Sequence, residues 1–420
     1  MASGLGRDAR IGLYLAVRQI RRASLWTTSL IVFVMVLTFL NLVVVSGILV
    51  GLLQGAVDAT RAKYTSDVII STLSDKKYIE NTPNIISILE TVPNVEHFTP
   101  RYRSGATLEA NYKTRRDVDK PNLASTQLVG IDPYAEDAVT GIRSNIIEGS
   151  FLEPGDFDQV VVGSYLLKQY LPIESPAFTA LDGATVGSKI RIKVGDVTKE
   201  VTIKGILKTK VDDVSLSTFM VDSQMRSLIG RSDGNVAEIS VKVAPGSDPA
   251  LVRDMLKRYG VDQYAKVQTF EEAQPKFLKD MIATFGMLGA AFSSIGLAVA
   301  AITIFIVIFI NAITRRKFIG ILKGIGINAR VIELSYIFQS IFYAVAGSCV
   351  GLLLLYGFLS PTIAAHPIDF PFSDGILVAP LGETMARVLL LVVVTLLAGY
   401  FPARMIVRKN TLDSILGRNT

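Results

Sequence analysis

Four runs along this chain carry no charge for long enough to leave water, and the segments between them follow other rhythms. The runs are Ala23–Val57, Met281–Thr314, Leu334 to about Ser360, and Val388–Ala403. A helix needs roughly 20 apolar residues to cross a bilayer, so each run reads as a transmembrane helix. The fourth is the shortest and sits between Arg387 and Arg404, while Pro361 is expected to stop the third. The first two are longer than a bilayer requires at ~1.5 Å per residue. Both lead straight into the polar stretch between them, so continuous helices projecting as stalks would absorb the excess. The first run is also far longer than the apolar core of a signal peptide and lacks a clear cleavage site.

Residues 58–280 alternate as an α+β domain. "SDVIIST" (66–72) and the "VEHFTPRYRSGATLEA" region read as strands. Between them "TPNIISILETV" reads as a helix, with Thr82 as N-cap and Pro83 at its first position. The far end repeats the order: strand "AEISVKVA", helix "SDPALVRDMLKRYG" capped by Ser247 or Asp248 and closed by Gly260, strand "AKVQTF". The echo predicts one subdomain from 58–119 plus 231–280, with the 66–72 and 236–243 strands paired, and an inserted subdomain at 120–230. Within the insert Ile190, Ile192 and Val194 alternate with Lys189, Arg191 and Lys193, and Gly195-Asp196 marks a hairpin turn.

Composition supports a membrane protein: of 420 residues 50% are hydrophobic, with mean hydropathy +0.42 and net charge +6. Basic side chains gather at Arg7, Arg10, Arg18, Arg21 and Arg22, at Arg315, Arg316, Lys317, Lys323 and Arg330, and at Arg404, Arg408, Lys409 and Arg418. The loop holding Asp369, Asp374 and Glu383 has no Lys or Arg before Arg387. Lys and Arg next to spans stay cytoplasmic, so both termini are expected inside. Residues 58–280 hold 31 acids and 28 bases, net −3. The basic pI therefore reflects topology and contact with anionic lipid, and implies no nucleic-acid partner.

The fold class expected is a membrane protein of four transmembrane α-helices in a 1+3 arrangement, with a large extracytoplasmic α+β domain and two stalk-forming helices. Its segments are an N-terminal cytoplasmic helix (1–24), span 1 and stalk (25–57), the domain (58–280), and span 2 and stalk (281–314). A cytoplasmic helix (315–332), span 3 (333–360), an external loop (361–386), span 4 (387–408) and a cytoplasmic tail (409–420) follow.

Catalytic chemistry is sparse. Cys349 is the sole cysteine, His97 and His366 are the only histidines, and no GxxxxGK[ST] stretch occurs, so any driving ATPase is another polypeptide. Glu153, Asp156 and Asp158 lack the 12-residue EF-hand pattern. Adjacent Asp212 and Asp213 read as a loop, and Ser164 has no nucleophile elbow. No ionisable residue lies mid-span, which weighs against a proton-coupled transporter or ion channel. Small residues recur at Gly286, Ala290, Ser294 and Ala298 in the second span and at Gly347 and Gly351 in the third. Such faces admit close helix packing, either within one chain or between two.

Between the second and third runs, "TRRKFIGILKGIGINARVIE" (314–333) is short, basic and punctuated by glycine. A helix here would carry Ile319, Ile321 and Leu322 on an apolar face and Arg316, Lys317 and Lys323 on a basic one, with Gly324 and Gly326 ending it. Physics leaves two readings open: an interfacial helix held by anionic lipid, or a docking element for a cytoplasmic partner. The segment resembles the coupling helix of MacB/FtsX-like (LolC/LolE-type) ABC transporter permeases, E-R-x-x-E-I-G-I-L-[RK]-A-[LI]-G-A. Arg315, Ile319, Gly320, Ile321, Leu322, Lys323, Ile325 and Gly326 match it; Thr314 and Phe318 replace glutamates, and Gly324 an alanine. "LAVRQIRRA" (15–23) is similar to the family's elbow helix, and "VVGSYLLKQYL" to an external stretch. "YFPARMIVRKNTLDSI" (400–415) resembles its closing motif, with Leu412 for proline.

The resemblance implies a homodimeric or heterodimeric permease on a cytoplasmic ABC ATPase dimer, with Arg315, Arg316, Ile319–Lys323 and Gly326 as the coupling contact. ATP and magnesium would bind that partner, and this chain would hold no cofactor or metal and be no enzyme itself. Nucleotide-driven movement would reach the external domain through the stalks (mechanotransmission) and export an antimicrobial, peptide or lipid at the cell membrane, with a periplasmic adaptor or lipoprotein as further partner. Lipoprotein release or regulation of a cell-wall hydrolase is the alternative within the family, and a ligand sensor the alternative outside it. Changing Gly320 and Leu322 to aspartate is the test the sequence suggests for docking.

Overall fold

The computed structural model describes residues 2–115, 120–171, 179–274, 276–366, 373 and 377–408. The expected tail at 409–420, with Lys409, Leu412 and Arg418, lies outside the described residues, as do Asp369 and Asp374 of the expected loop. The chain divides into two compact units: Gln54–Lys279 form one, and the apolar helices that flank them form the other.

The first unit is built on ten strands among the described residues: β1 Val68–Ser71, β2 Val95–Ala110, β3 Asn122–Ile131, β4 Ile146–Gly149, β5 Gln159–Gly163, β6 Lys189–Val194, β7 Val197–Leu207, β8 Ser217–Val221, β9 Glu238–Val243 and β10 Lys266–Thr269. They run in the order β10-β1-β9-β2-β3-β8-β5-β7-β4, with β6 pairing β2 and β7. Strand β1 lies between β9 and β10, antiparallel to both, with Val68 opposite Val241 and Thr269. The chain thus enters and leaves the unit on neighbouring strands. The sheet does not divide at 119/120. Instead β2 is shared: Val95–Arg101 pair with β9, and Tyr102–Ala110 with β3. The buried positions change parity at the handover: Thr99 and Arg101 are buried in the half that pairs with β9, and Tyr102, Ala106, Leu108 and Ala110 in the half that pairs with β3.

Local signals explain most of the elements. In β6, Ile190 and Ile192 are buried while Lys189, Arg191 and Lys193 face out, and Gly195 takes φ 56° in the two-residue turn to β7. Asp248 caps Pro249–Arg258 by accepting from Ala250 N at 2.9 Å, and Val252 and Leu256, one turn apart, are buried. Each such side chain contributes about 1.5–3 kcal/mol. The helix Thr82–Leu89 starts one residue earlier than expected. Asn81, at φ 58°, is its N-cap, and the Thr82 hydroxyl instead donates back to Ile79 O at 2.8 Å.

In the helical unit an N-terminal helix, Ala2–Arg22, precedes four helices apolar and long enough to cross a membrane: Leu25–Thr65, Leu278–Thr314, Ala329–Ala365 and Leu381–Val407. The first continues two turns past Val57, because Asp58, Arg61 and Lys63 are compatible with helix. The second starts at Lys276, before its charge-free run. The third neither starts at 333 nor stops at Pro361. Asn328 caps it by accepting from Arg330 N, and it passes the proline directly after a π-turn at Leu355–Leu359, where the hydrogen-bond register already shifts. The fourth begins at Leu381, so Glu383 is helical and not in the loop.

The first helix ends where Ser66 takes φ 58°, ψ −152°, a region that is essentially glycine-only and costs about 1–3 kcal/mol for other residues. Its N–H donates to Arg61 O at 2.8 Å, which holds the kink. Ser66→Gly is expected to stabilise the protein by about 1 kcal/mol, the strain relief outweighing ~0.5–1 kcal/mol of added chain freedom. A lower unfolding midpoint would show that the conformation is unstrained.

Candidate coupling site

The segment after the second helix folds as a nine-residue helix, Arg316–Gly324, with Arg315 in the N-cap position. Its end is a Schellman motif. Gly326, at φ 90°, donates to Lys323 O, and Ile327 N reaches back to Leu322 O, both at 3.0 Å. Gly326 is needed because a side chain at that φ is strained; Gly324 remains inside the helix.

The faces differ from the expected pair. Ile319, Gly320 and Leu322 are buried, and Ile319 and Leu322 share a cluster with Ile332, Ala403, Ile406 and Val407. Lys323 lies on that side as well, its Nζ donating to Val407 O at 2.9 Å, where a cation meets the negative end of the fourth helix. Arg315 and Arg316 are half-buried. Ile321, expected among the apolar contacts, points away with Phe318 and Ile325; the three are 53%, 49% and 71% exposed. Positions 318, 321 and 325 follow the i, i+3, i+7 rule, so a helical wheel of the sequence would have separated this stripe from the buried one. The helix is therefore apolar on both sides, bound to the spans by one and open on the other.

The small residues divide in two. Gly347 and Gly351 pack against the first helix: a Cβ there would sit 2.3 Å from Met35 Cβ and 2.2 Å from Phe39 Cδ1. In the second helix the packed positions are Gly289, Ser293, Gly296 and Ala300. Ala290, Ser294 and Ala298 are exposed, and Gly286 meets nothing within 4 Å. Sequence reasoning also missed a polar set around the π-turn Asn41–Val45. Ser293 Oγ donates to Leu42 O at 3.2 Å, and Arg387 donates to Val43 O at 3.3 Å and to Ser46 Oγ at 3.0 Å. The only advance signal was Arg387 itself.

In the β-rich unit the acidic loop pairs with bases. Asp156 accepts from Glu153 N and pairs with Lys204, Arg143 reaches Glu153 at 3.1 Å, and Lys199 reaches Asp158 at 2.6 Å. Asp212 and Asp213 open a single-turn helix, and burial, then the Asp213 charge, raises the Asp212 carboxyl above its ordinary range. Ser164 is fully buried, its hydroxyl unpartnered.

Four helices are apolar and long enough to cross a membrane, a short helix packs at the ends of two of them, and a sheet-based unit is inserted between the first and the second. Residues 28–259 match the MacB-like periplasmic core domain, and residues 290–411 match the FtsX-like permease C-terminal domain. The chain belongs to the MacB/FtsX-like family of ABC transporter permeases. It is 26% identical over 239 residues to an uncharacterised ABC transporter permease of Methanocaldococcus jannaschii, covering 54% of this chain and 58% of the relative. To the lipoprotein-releasing system transmembrane protein LolC of Neisseria meningitidis it is 27% identical over 306 residues, 66% of each. To the macrolide export ATP-binding/permease protein MacB of Haemophilus ducreyi it is 27% identical over 191 residues, 43% of this chain and 25% of the relative. The chain spans less than two thirds of the length of each of these relatives.

Proposed function

We propose that this chain is the membrane subunit through which a separate cytoplasmic ABC ATPase dimer, binding ATP and magnesium, moves an extracytoplasmic domain to export or extrude a substrate such as an antimicrobial, a peptide or a lipid. The observation that carries the reading is the helix Arg316–Gly324. One face is anchored on the ends of the third and fourth helices, while Phe318, Ile321 and Ile325 stand open to a partner. A push on that stripe is received by packed spans, since Lys323 and the buried Ile319 and Leu322 tie the helix to them.

Both termini and the 315–332 segment lie in the cytoplasm of a 1+3 topology at the cell membrane, supported by the placement of Lys and Arg. The first helix has 41 residues and the second span 37, about 60 and 55 Å at ~1.5 Å per residue, against a hydrocarbon core of ~30 Å. The surplus is the stalk. A second permease, identical or homologous, packs on the open Gly286, Ala290, Ser294, Ala298 stripe. Lipoprotein release is the second reading, favoured by the match over 66% of both chains to a relative so named; an adaptor or a lipoprotein is then the external partner.

Affinity purification of the tagged full chain from its native membrane is expected to bring down a P-loop ATPase in stoichiometric amount. A chain that arrives without one, under conditions that preserve its own fold, is not a permease of this kind and would favour a sensor.

A further inference from the structure

The N-terminal helix Ala2–Arg22 is held to the third span along one side. Ala16 is buried there, a Cβ on Gly12 would sit 3.0 Å from Leu334 Cβ, and Gln339 Nε2 donates to Gln19 Oε1. At ~100° per residue, Arg7, Arg10, Arg18, Arg21 and Arg22 fall within an arc of about 120° on the other side. All five are exposed, and none has an ion pair among the described residues. The other two basic clusters are partly drawn into the helical unit. Arg315 and Arg316 are half-buried, Lys323 donates to Val407 O, and Arg404 lies over the Tyr400 ring, 5.5 Å from its centroid. Only Ala23 and Ser24 separate Arg22 from the helix of the first span. Trp26, the only tryptophan, is 85% exposed and heads an open stripe that continues through Leu30, Phe33 and Leu37. A tryptophan at the end of such a stripe marks the boundary between hydrocarbon and water. Arg22 and Arg18 then lie within about 6 and 12 Å of that boundary along the chain, at ~1.5 Å per residue.

We infer that this arginine face is a binding surface for anionic phospholipid headgroups of the leaflet where the first span begins. Arg18, Arg21 and Arg22 contact phosphate, and Arg7 and Arg10 add attraction from farther out. Connectivity argues for lipid over a protein. A face two residues from a span meets the bilayer surface whichever way the chain is oriented, and the exposed stripe of the span carries the lipid contact up to Trp26. Leu13 and Val17, one turn apart and about half exposed, flank the arginines and supply the apolar side that an interfacial helix beds into the acyl boundary. Arginine suits the ligand, because a guanidinium donates two parallel N–H bonds to phosphate oxygens. Charge selects among headgroups: five like charges in one arc favour a net-negative lipid over a zwitterionic one, whose ammonium offsets its phosphate. The proposal does not depend on what docks at Arg316–Gly324.

The test uses the purified full chain in detergent with phosphatidylglycerol and phosphatidylcholine added in equal amounts, and native mass spectrometry to count the lipids each chain retains. The wild type is expected to retain phosphatidylglycerol preferentially. An arginine near an anionic surface is worth about fivefold in binding, so Arg18→Gln/Arg21→Gln/Arg22→Gln should lower that preference by about 10²-fold. Lys317→Gln/Arg330→Gln, which removes two exposed cations elsewhere in the helical unit, should keep it and so exclude a general effect of charge. If the triple variant does not fold, Arg18→Gln alone, with its loss of about fivefold, decides. Equal retention of the two lipids by the wild type overturns the proposal, and so does a preference that survives the arginine substitutions. A triple variant that keeps its lipid preference but loses a copurifying protein would give the face to that protein instead.

Discussion

The double substitution Phe318→Asp/Ile321→Asp is expected to reduce ATP hydrolysis in the reconstituted complex to the level of the ATPase alone, without unfolding the permease. Both side chains are about half exposed and belong to no buried cluster, and changes at such positions usually alter stability by no more than about 0.5 kcal/mol. Buried in an interface they act as anchors. Truncating an anchor typically costs ≥ ~2 kcal/mol, and a carboxylate trapped against an apolar pocket costs more. At ~1.4 kcal/mol per tenfold, two anchors weaken association by at least about 10³-fold. Position matters here. Aspartate at Gly320 or Leu322, the pair the sequence alone recommends, would place a charge in the buried cluster and confuse loss of folding with loss of docking. The same double substitution separates the two readings that the basic segment left open. If the exposed stripe merely lies in lipid, hydrolysis by a bound partner is unaffected while membrane affinity falls, and the docking proposal is gone.

Much of this architecture was legible because periodicity and burial coincide. The β6–β7 hairpin, the capped helix at 249–258 and the strands at the two ends of the domain each carry a local rule that tertiary structure had no reason to override. Failures occurred where two answers satisfy the same rule. The second span bears two stripes of small residues, at 286/290/294/298 and at 289/293/296/300, and spacing cannot say which one a neighbour covers. Ile319, Ile321 and Leu322 are equally apolar, yet only the angular position around a nine-residue helix sorts them. Charge does not mark the helix ends. Asp58, Arg61, Lys63 and Glu383 are all helical, since a helix tolerates charges that a bilayer core does not. The bond from Arg387 to the π-turn of the first span required knowing which helices touch, and that information is non-local.

The second large effect is expected at Arg101, whose removal should cost the β-rich unit about 3–5 kcal/mol. Arg101 is 1% exposed. It holds Glu136 with two hydrogen bonds of 2.7 and 2.8 Å and Glu238 with a third of 2.9 Å, while Thr99 adds a donor to Glu136 at 3.0 Å. Arg103 shares Glu238 at 3.0 Å, and both guanidinium groups lie over the ring of Tyr64, 5.2 and 5.6 Å from its centroid. Tyr64 is in the final π-turn of the first helix. The network therefore grips the helix end where it enters the sheet, joining it to β2, β9 and the helix Pro133–Thr140 that carries Glu136. Arg101→Ala would leave the fully buried Glu136 without a counter-charge, while Glu238 keeps Arg103, and the loss should appear as faster amide exchange in β1, β2 and β9 of the full chain. The apolar pair Arg101→Met/Glu136→Leu is expected to recover most of that stability, because exchanging a whole buried ion pair for packed hydrocarbon is often neutral or better. This pair also asks whether the grip matters for transmission. A stable double variant that still binds the ATPase but no longer couples hydrolysis to transport would assign the network to conveying movement from helix to sheet. Full coupling in that variant would reduce it to a structural element.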